Sequence, residues 1–334
     1  MDIRSLIEEI FSINSNSDFE KTALKVFKYQ SQNNQVYSQY LKYLNKNISE
    51  INSIEQIPFM PIEFFKSHTI LTGNITPQQC ETVFTSSGTT GINTSRHYVK
   101  NLDIYYRSLK KGFQEFYGDI QQYRILALLP AYLERTGSSL VVMAQKLMEE
   151  SKNGTDGFYL YNFQQLETQI KEEIQKKHKV ILIGVTFALL DFAEQFKNEF
   201  GDNLIVMETG GMKGRKKEIV RQQVHQILTT NLGLKKIHSE YGMTELLSQA
   251  YSKGDGIYQT SSTMKILIRE STDPFLLVDN NVAGGINVID LANIYSCSFI
   301  ETKDLGIKHT DNTFEVLGRI DNSDIRGCNL LYSK

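Results

Sequence analysis

Cysteine is scarce: Cys80, Cys297 and Cys328 are the only three in 334 residues. Odd in number and far apart, they fit neither a disulfide framework nor a C-x-x-C metal site, so a reducing, cytoplasmic setting is expected. Proline occupies 5 positions, against 40% hydrophobic and 22% charged residues. That balance excludes a disordered, collagenous or low-complexity chain. Charge of one sign is also lacking, with 36 Lys+Arg against 38 Asp+Glu and a formal charge of -2. No global field therefore draws the protein to nucleic acid or an anionic membrane. The longest apolar run, Val180 to Leu190, carries Gly184 and Thr186 and falls short of the ~20 residues of a membrane span. The opening MDIRSLIEEIFSI mixes Asp, Arg and two Glu into an amphipathic pattern, unlike a signal peptide. Neither a nucleic-acid partner nor a membrane span is expected. His68, His97, His178, His225, His238 and His309 have no H-x-x-x-H or related spacing, which disfavours a zinc enzyme.

The length suits roughly two domains, or one large domain with an appendage. From Met1 to about Tyr43 the pattern is helical, with Ser17 and Glu20 spaced as a capping box ahead of Phe19, Ala23, Leu24 and Phe27. The stretch IPFMPIEFFKSH, with Pro58 and Pro61, should be extended and packed. Beyond it strands and helices alternate. Ile125–Leu129 precedes a helix through Val141–Met148, and Val180–Ile183 precedes Phe187–Phe196. Leu204–Met207 precedes a helix with Ile219, Val220, Val224, Ile227 and Leu228. This alternation predicts an α/β fold with a largely parallel sheet. The last third reads as a smaller β-rich subdomain, with short runs at Met264–Ile268, Phe275–Val278 and Ile286–Ile289. The charge-dense Lys171–Lys179 reads as a solvated helix face.

Four stretches carry chemistry. Thr85-Ser86-Ser87-Gly88-Thr89-Thr90-Gly91 follows a predicted strand at Glu81–Phe84 and packs five hydroxyls and two glycines into seven residues. Such a loop presents backbone N–H groups and hydroxyls to phosphate oxygens. It is not a Walker A loop, because no G-x-x-x-x-G-K-[ST] occurs. Tyr241-Gly242-Met243-Thr244-Glu245 offers a ring for a base, a hydroxyl for a phosphate oxygen and a carboxylate for a cation. A single carboxylate suffices for Mg²⁺ when nucleotide phosphates supply other ligands. Thr302-Lys303-Asp304-Leu305-Gly306 and Gly318-Arg319-Ile320-Asp321 offer an Asp for ribose hydroxyls and an Arg donor fork. Ile325-Arg326-Gly327 follows.

In this order, TSSGTTG, YGMTE, TKDLG and GRIDNSDIRG resemble the adenylate-forming superfamily of acyl-CoA synthetases and related ligases. The helical N-terminus, IPFMPIEFFKSH and the ending GRIDNSDIRGCNLL are most similar to its LuxE-type acyl-protein synthetases, which activate fatty acids for a fatty acid reductase complex. The resemblance implies a large acyl-CoA synthetase-like α/β domain of mostly parallel sheets flanked by helices, with a small β-rich subdomain. Residues 1–78 would form a helical N-terminal segment, 79–316 the adenylate-forming domain, and 317–334 a hinge motif and tail. The C-terminal small domain of relatives would be essentially absent.

The likeness also assigns roles. Ser86, Ser87, Gly88, Thr89, Thr90 and Gly91 would hold the β- and γ-phosphates of ATP. Tyr241 would lie on the adenine, Thr244 would touch the α-phosphate, Glu245 would hold Mg²⁺, and Asp304 with Arg319 would bind the ribose. Gly184, Val185, Thr186 and Phe187, with Thr209, Gly210 and Gly211, are acyl-pocket candidates, since strand ends of open sheets hold ligands. Cys328 would receive the acyl group, whereas Cys80 and Cys297 read as structural. Two departures stand out. Ile92-Asn93-Thr94-Ser95-Arg96-His97 replaces the usual Pro-Lys-Gly after Gly91, which leaves Arg96 to replace its lysine. No adenylation lysine of a C-terminal domain can be assigned, so either another cation, Lys213, Arg215 or Arg96, stands in, or catalysis is slow or lost. An acyl-CoA or acyl-carrier ligase, a noncatalytic nucleotide-binding subunit, and an aryl-acid or amino-acid substrate remain alternatives. A fatty acid and a fatty acyl-CoA reductase subunit are the expected substrate and partner.

Overall fold

The computed structural model describes residues 2–86, 94–130, 136–197, 199–210 and 219–320. Three helices open the chain, Ile3–Phe11, Asn16–Asn33 and Gln35–Tyr43. The cap of the second is Ser15 rather than Ser17: its extended backbone presents the hydroxyl to Asp18, whose N–H it accepts at 3.1 Å. Glu20, expected in a capping box, instead accepts from Asn16 and Lys265. Phe19, Ala23, Val26 and Phe27 fall on the buried face at helical spacing.

Twelve strands form one sheet among the described residues. Its parallel half runs Phe158–Tyr159, Tyr123–Leu128, Lys179–Val185, Leu204–Thr209 and His238–Tyr241 side by side. The central strands are near-continuous apolar runs because helices such as Ser139–Ser151 and Thr186–Gln195 cover them. The sheet then turns antiparallel through Ala250–Ser252, Ile257–Thr260, Phe314–Arg319, Phe299–Lys308, Ala283–Asp290 and Met264–Arg269. The β-rich final third thus continues the parallel half edge to edge. Phe275–Val278 contributes only an isolated bridge, Arg269↔Leu277. There Glu270 gathers the N–H groups of Thr272 and Asp273 into a tight turn that leaves Phe275 and Leu276 exposed. Ile219 and Val220 precede their helix, which starts at Arg221. In the charge-dense run, Glu173 turns inward onto Lys176 and His178 instead of facing water.

The first half of the IPFMPIEFFKSH stretch is extended and packed as expected, whereas Phe64–Ser67 turns into a short helix with Phe65 buried. Met60–Pro61 pairs in parallel with Ile300–Glu301, and Phe59 meets Phe299 edge-on, as does Phe27. Tyr37 and Tyr40 donate to the carbonyls of Pro58 and Phe59 at 2.6 and 3.0 Å. The fully buried Gln30 donates to the Asn293 and Ile294 carbonyls and accepts the Ser298 N–H. These bonds fasten the N-terminal helices to the antiparallel half, which presents the motif residues. Among the described residues, no helix is long and apolar enough to cross a membrane.

Candidate active site

The Ser/Thr/Gly loop is strung between two paired strands, Thr82–Thr85 and Arg96–Val99, in which Thr85 faces Arg96. Ser87, Gly88, Thr89, Thr90 and Gly91 lie outside the described residues; Ser86 is at the foot of the loop. It is stapled there twice: Ser95 N–H donates to Ser86 Oγ at 2.9 Å, and Ser86 N–H donates to the Ser95 carbonyl at 3.2 Å. Arg96, an exposed side chain, starts the outgoing strand.

That outgoing strand grips the second motif. The Ser95 hydroxyl acts on the Glu245 carboxylate, pulling its pKa down, and His97 Nδ1 lies 2.9 Å from the Thr244 carbonyl. A carbonyl only accepts, so His97 Nδ1 carries the proton. The imidazole is fully buried edge-on to Phe65 and Phe84, its Nε2 has no partner among the described residues, and burial pulls its pKa down to about 4. It is a neutral strut between loop and motif. Glu245 is 5% exposed; burial pushes its carboxyl up, while Ser95, its own backbone, Arg319 and Lys66 pull it back. The segment is fixed from behind as well. Asn293 donates to the Glu245 carbonyl at 2.8 Å, and the buried Asp290 accepts the N–H groups of Leu247 and Ser248 at 2.7 and 3.0 Å.

Tyr241 ends the last parallel strand, edge-on to Tyr258 and Phe314. Its hydroxyl donates to Asp304 Oδ2 at 2.8 Å. Asp304 and Arg319 are direct cross-strand partners, with Arg319 Nε 3.7 Å from Oδ1. Burial pushes the Asp304 carboxyl up, and Tyr241, Arg319 and Arg269 draw it back. Oδ1 forms no hydrogen bond among the described residues and lies next to a guanidinium that is 79% exposed. Arg319 also acts electrostatically on Glu245, so one cation serves both carboxylates.

The third group sits on neighbouring strand ends, where Gly184 pairs with Glu208 and Val185 with Thr209. Thr186 donates to Glu208 and to the Gly210 carbonyl at 3.1 and 3.2 Å, and Gly210 turns the chain at φ 72°. Phe187 follows in the buried helix; Gly211, Lys213 and Arg215 lie outside the described residues. Gly184 serves packing, because a Cβ there would lie 2.5 Å from Leu189 Cδ2. Thr209 donates to Glu240 at 2.5 Å, which ties this group to the strand of Tyr241. Burial drives the Glu240 carboxyl up to about 7, against the Thr209 hydroxyl.

Asp290, Asn293 and Glu240 border the candidate site without being singled out in the sequence, where Ser95 and His97 stand only as part of the segment after Gly91 and, for His97, as a rejected metal ligand. Ser95 and His97 flank Arg96 with the alternation of a strand, the one signal available. Of the cysteines, Cys297 is fully buried with its thiol pushed up to about 12, and burial also raises Cys80. Neither is a prepared nucleophile. Cys328 and Asp321 lie outside the described residues. Among the described residues, no group of three or more His, Cys, Asp or Glu could hold a metal ion. Glu245 fits another kind of site, a lone buried carboxylate that a phosphate-bound Mg²⁺ would need.

A family model described as acyl-protein synthetase, LuxE, matches residues 10–334. No curated protein matches the chain. Solved structures share the fold at low identity. A 2-hydroxyisobutyryl-CoA ligase in the postadenylation state with 2-HIB-AMP aligns at TM-score 0.68 and 10% identity, covering 93% of this chain and 70% of the ligase. ATP-bound MatB from Rhodopseudomonas palustris aligns at 0.55 and 14%, over 74% of this chain and 50% of MatB. The o-succinylbenzoate coenzyme A synthetase MenE from Bacillus subtilis, in complex with AMP, aligns at 0.52 and 17%, over 72% and 49%. The aligned part thus spans about half the length of MatB and MenE.

Proposed function

The chain belongs to the LuxE acyl-protein synthetase family, and from that premise we propose that it activates a carboxylic acid with ATP, giving acyl-adenylate and pyrophosphate. The observation that carries this reading is the coupling of three motifs: Ser95 and His97, leaving the Ser/Thr/Gly loop, hold Glu245 and Thr244, while Tyr241 of the same motif holds Asp304. In this reading Ser86 and the loop to Gly91 take the β- and γ-phosphates, Tyr241 lies on the adenine, and Asp304 with Arg319 takes the ribose. Thr244 meets the α-phosphate. Glu245 would hold Mg²⁺, which would supply positive charge to the phosphates. The acid would enter by Gly184, Val185, Thr186 and Gly210, with Gly211 as a further candidate.

Carboxylate attack on the α-phosphorus joins two anions, so the protein's task is to align them and to present fixed cations and donors. Arg319 is placed for the nucleotide side, and Arg96, at the exit of the loop, is the candidate for the phosphates. No general base is required, since the attacking carboxylate is already ionised at neutral pH.

The acyl acceptor has two readings. The solved structures sharing this fold include coenzyme A ligases, which supports a free thiol of coenzyme A or an acyl carrier. The family description supports acyl transfer to protein, with Cys328 as the receiving thiol and a fatty acyl-CoA reductase subunit as the next partner. A fatty acid is the substrate proposed in both. Incubation with ATP, Mg²⁺ and a radiolabelled fatty acid, with and without coenzyme A, tests this. Label on the wild-type chain but not on Cys328→Ser supports protein acylation; thioester only with coenzyme A supports the other acceptor. Failure to consume ATP with any acid contradicts the activation itself.

A further inference from the structure

We propose a second binding site, for an aliphatic carboxylate, where the N-terminal helices meet the antiparallel end of the sheet. A cavity of about 390 Å³ lies there, within the ~300–1,000 Å³ of small-molecule sites. Ile13, Phe19, Met264 and Ile266 form its apolar wall, and none of its lining residues belongs to the site described above. Three lysines, Lys111, Lys265 and Lys308, are among its lining residues.

Their hydrogen bonds are incompletely used. Lys111 Nζ donates to the carbonyls of Phe11 and Ile13, and Lys265 Nζ donates to Asn16 and Glu20. Each ammonium has three protons, so one remains on each. Lys308 is half-buried and has no hydrogen-bond or ion-pair partner for its ammonium among the described residues. Burial, and then Lys265, hold its pKa below the usual lysine range. A half-buried cation beside a second cation calls for an anion. Of the nearby carboxylates, Glu115 accepts from the N–H and hydroxyl of Ser262 and Glu20 is paired with Lys265; Glu55 and Glu20 attract Lys308 electrostatically, but neither forms an ion pair with it among the described residues. Ser15 and Asn16, at the start of an 18-residue helix, line the same cavity and add the positive end of its dipole. A lining that combines these cationic donors with Phe19, Met264 and Ile266 matches a carboxylate head with an aliphatic tail. The site does not rest on the adenylation reading. Because the same acid could occupy both places, its position must be mapped.

The test uses the full chain and dodecanoate bearing a photoreactive group near the tail end, with crosslinks mapped by peptide mass spectrometry. Label is expected on the peptides carrying Phe19 and Met264, competed by dodecanoate but not by dodecanol. Lys308→Met should weaken it about tenfold, the loss of one charge-assisted contact, and Lys308→Arg should retain it. Melting of Lys308→Met should match the wild type, which separates lost binding from lost fold. Absence of label from both peptides, label undiminished in Lys308→Met, or equal competition by dodecanol would overturn the site. Label confined to peptides around Gly184 and Tyr241 would also overturn it, while leaving the activation reading intact.

Discussion

Removing the Ser95 hydroxyl isolates the link between the phosphate-loop candidate and the metal-ligand candidate. Ser95 is 2% exposed and its hydroxyl stabilises the Glu245 carboxylate, pulling its pKa down, while its backbone N–H holds Ser86. Ser95→Ala spares the backbone bonds and deletes the side-chain donor alone. A hydrogen bond to a charged group is worth about 1.5–3 kcal/mol net, and a buried acceptor left without a donor keeps its full desolvation cost. The variant should lose about 2 kcal/mol in urea unfolding. Burial already raises the Glu245 carboxyl, and losing the donor pushes it further the same way, which favours the protonated form that cannot ligate a cation. The Mg²⁺ concentration for half-maximal ATP–pyrophosphate exchange should therefore rise, and raising the pH should partly reverse the effect. Ser95→Thr, which retains the hydroxyl, should resemble the wild type. An unfolding midpoint and Mg²⁺ response unchanged in Ser95→Ala would refute the coupling.

Four other outcomes follow from the same geometry. His97 binds a proton at about 4 when folded, against an ordinary value of 6.5, so its contribution is intact above pH 6.5 and is lost as pH falls toward 4. That amounts to about 3 kcal/mol, and His97→Asn, measured by denaturant unfolding across this window, should show a shallower acid slope than the wild type. Glu240 has the opposite sign: its value of about 7, raised from 4.5 by burial, favours the fold below pH 4.5 and penalises it progressively as pH rises through 7. Glu240→Gln should consequently gain up to about 3 kcal/mol relative to wild type in going from pH 4.5 to above 7, read as a melting shift. Tyr241→Phe removes the donor to Asp304 Oδ2 and should weaken ATP binding in calorimetry by about tenfold while the chain remains folded. Gly184→Ala puts a Cβ 2.5 Å from Leu189 Cδ2 and should cost about 1–3 kcal/mol by overpacking, checked by urea unfolding.

The fold was legible where periodicity was strong. Ile125–Leu129 and Val180–Ile183 read as strands because both faces of the parallel half are buried, so their apolar character is continuous. Helix starts were less legible. Ser15 and Ser17 both precede the same apolar stripe, and only the backbone, extended at Ser15, decides which hydroxyl caps. Phe275–Val278 has strand composition, yet the turn built on Glu270 takes its first residues out of the ladder. The site was legible as four local motifs. Its connections were not, because they join distant residues: Asp290 holds the backbone at 247–248, and Asn293 holds that of Glu245. His97 was weighed only as a metal ligand, and its strut role emerges when strand pairing brings it beneath Thr244. Gly184, read as a pocket residue from its place at a strand end, is also needed there for contact with Leu189.

The most direct measurement follows the carboxylate oxygen. Fatty acid labelled with heavy oxygen in both carboxylate positions is incubated with ATP, Mg²⁺ and the chain, and the released nucleotide is weighed by mass spectrometry. Attack on the α-phosphorus, followed by acyl transfer, leaves one heavy oxygen in AMP, and Glu245→Gln should sharply reduce its formation. Unlabelled AMP, or heavy oxygen appearing in inorganic phosphate beside ADP, would contradict activation through an acyl-adenylate.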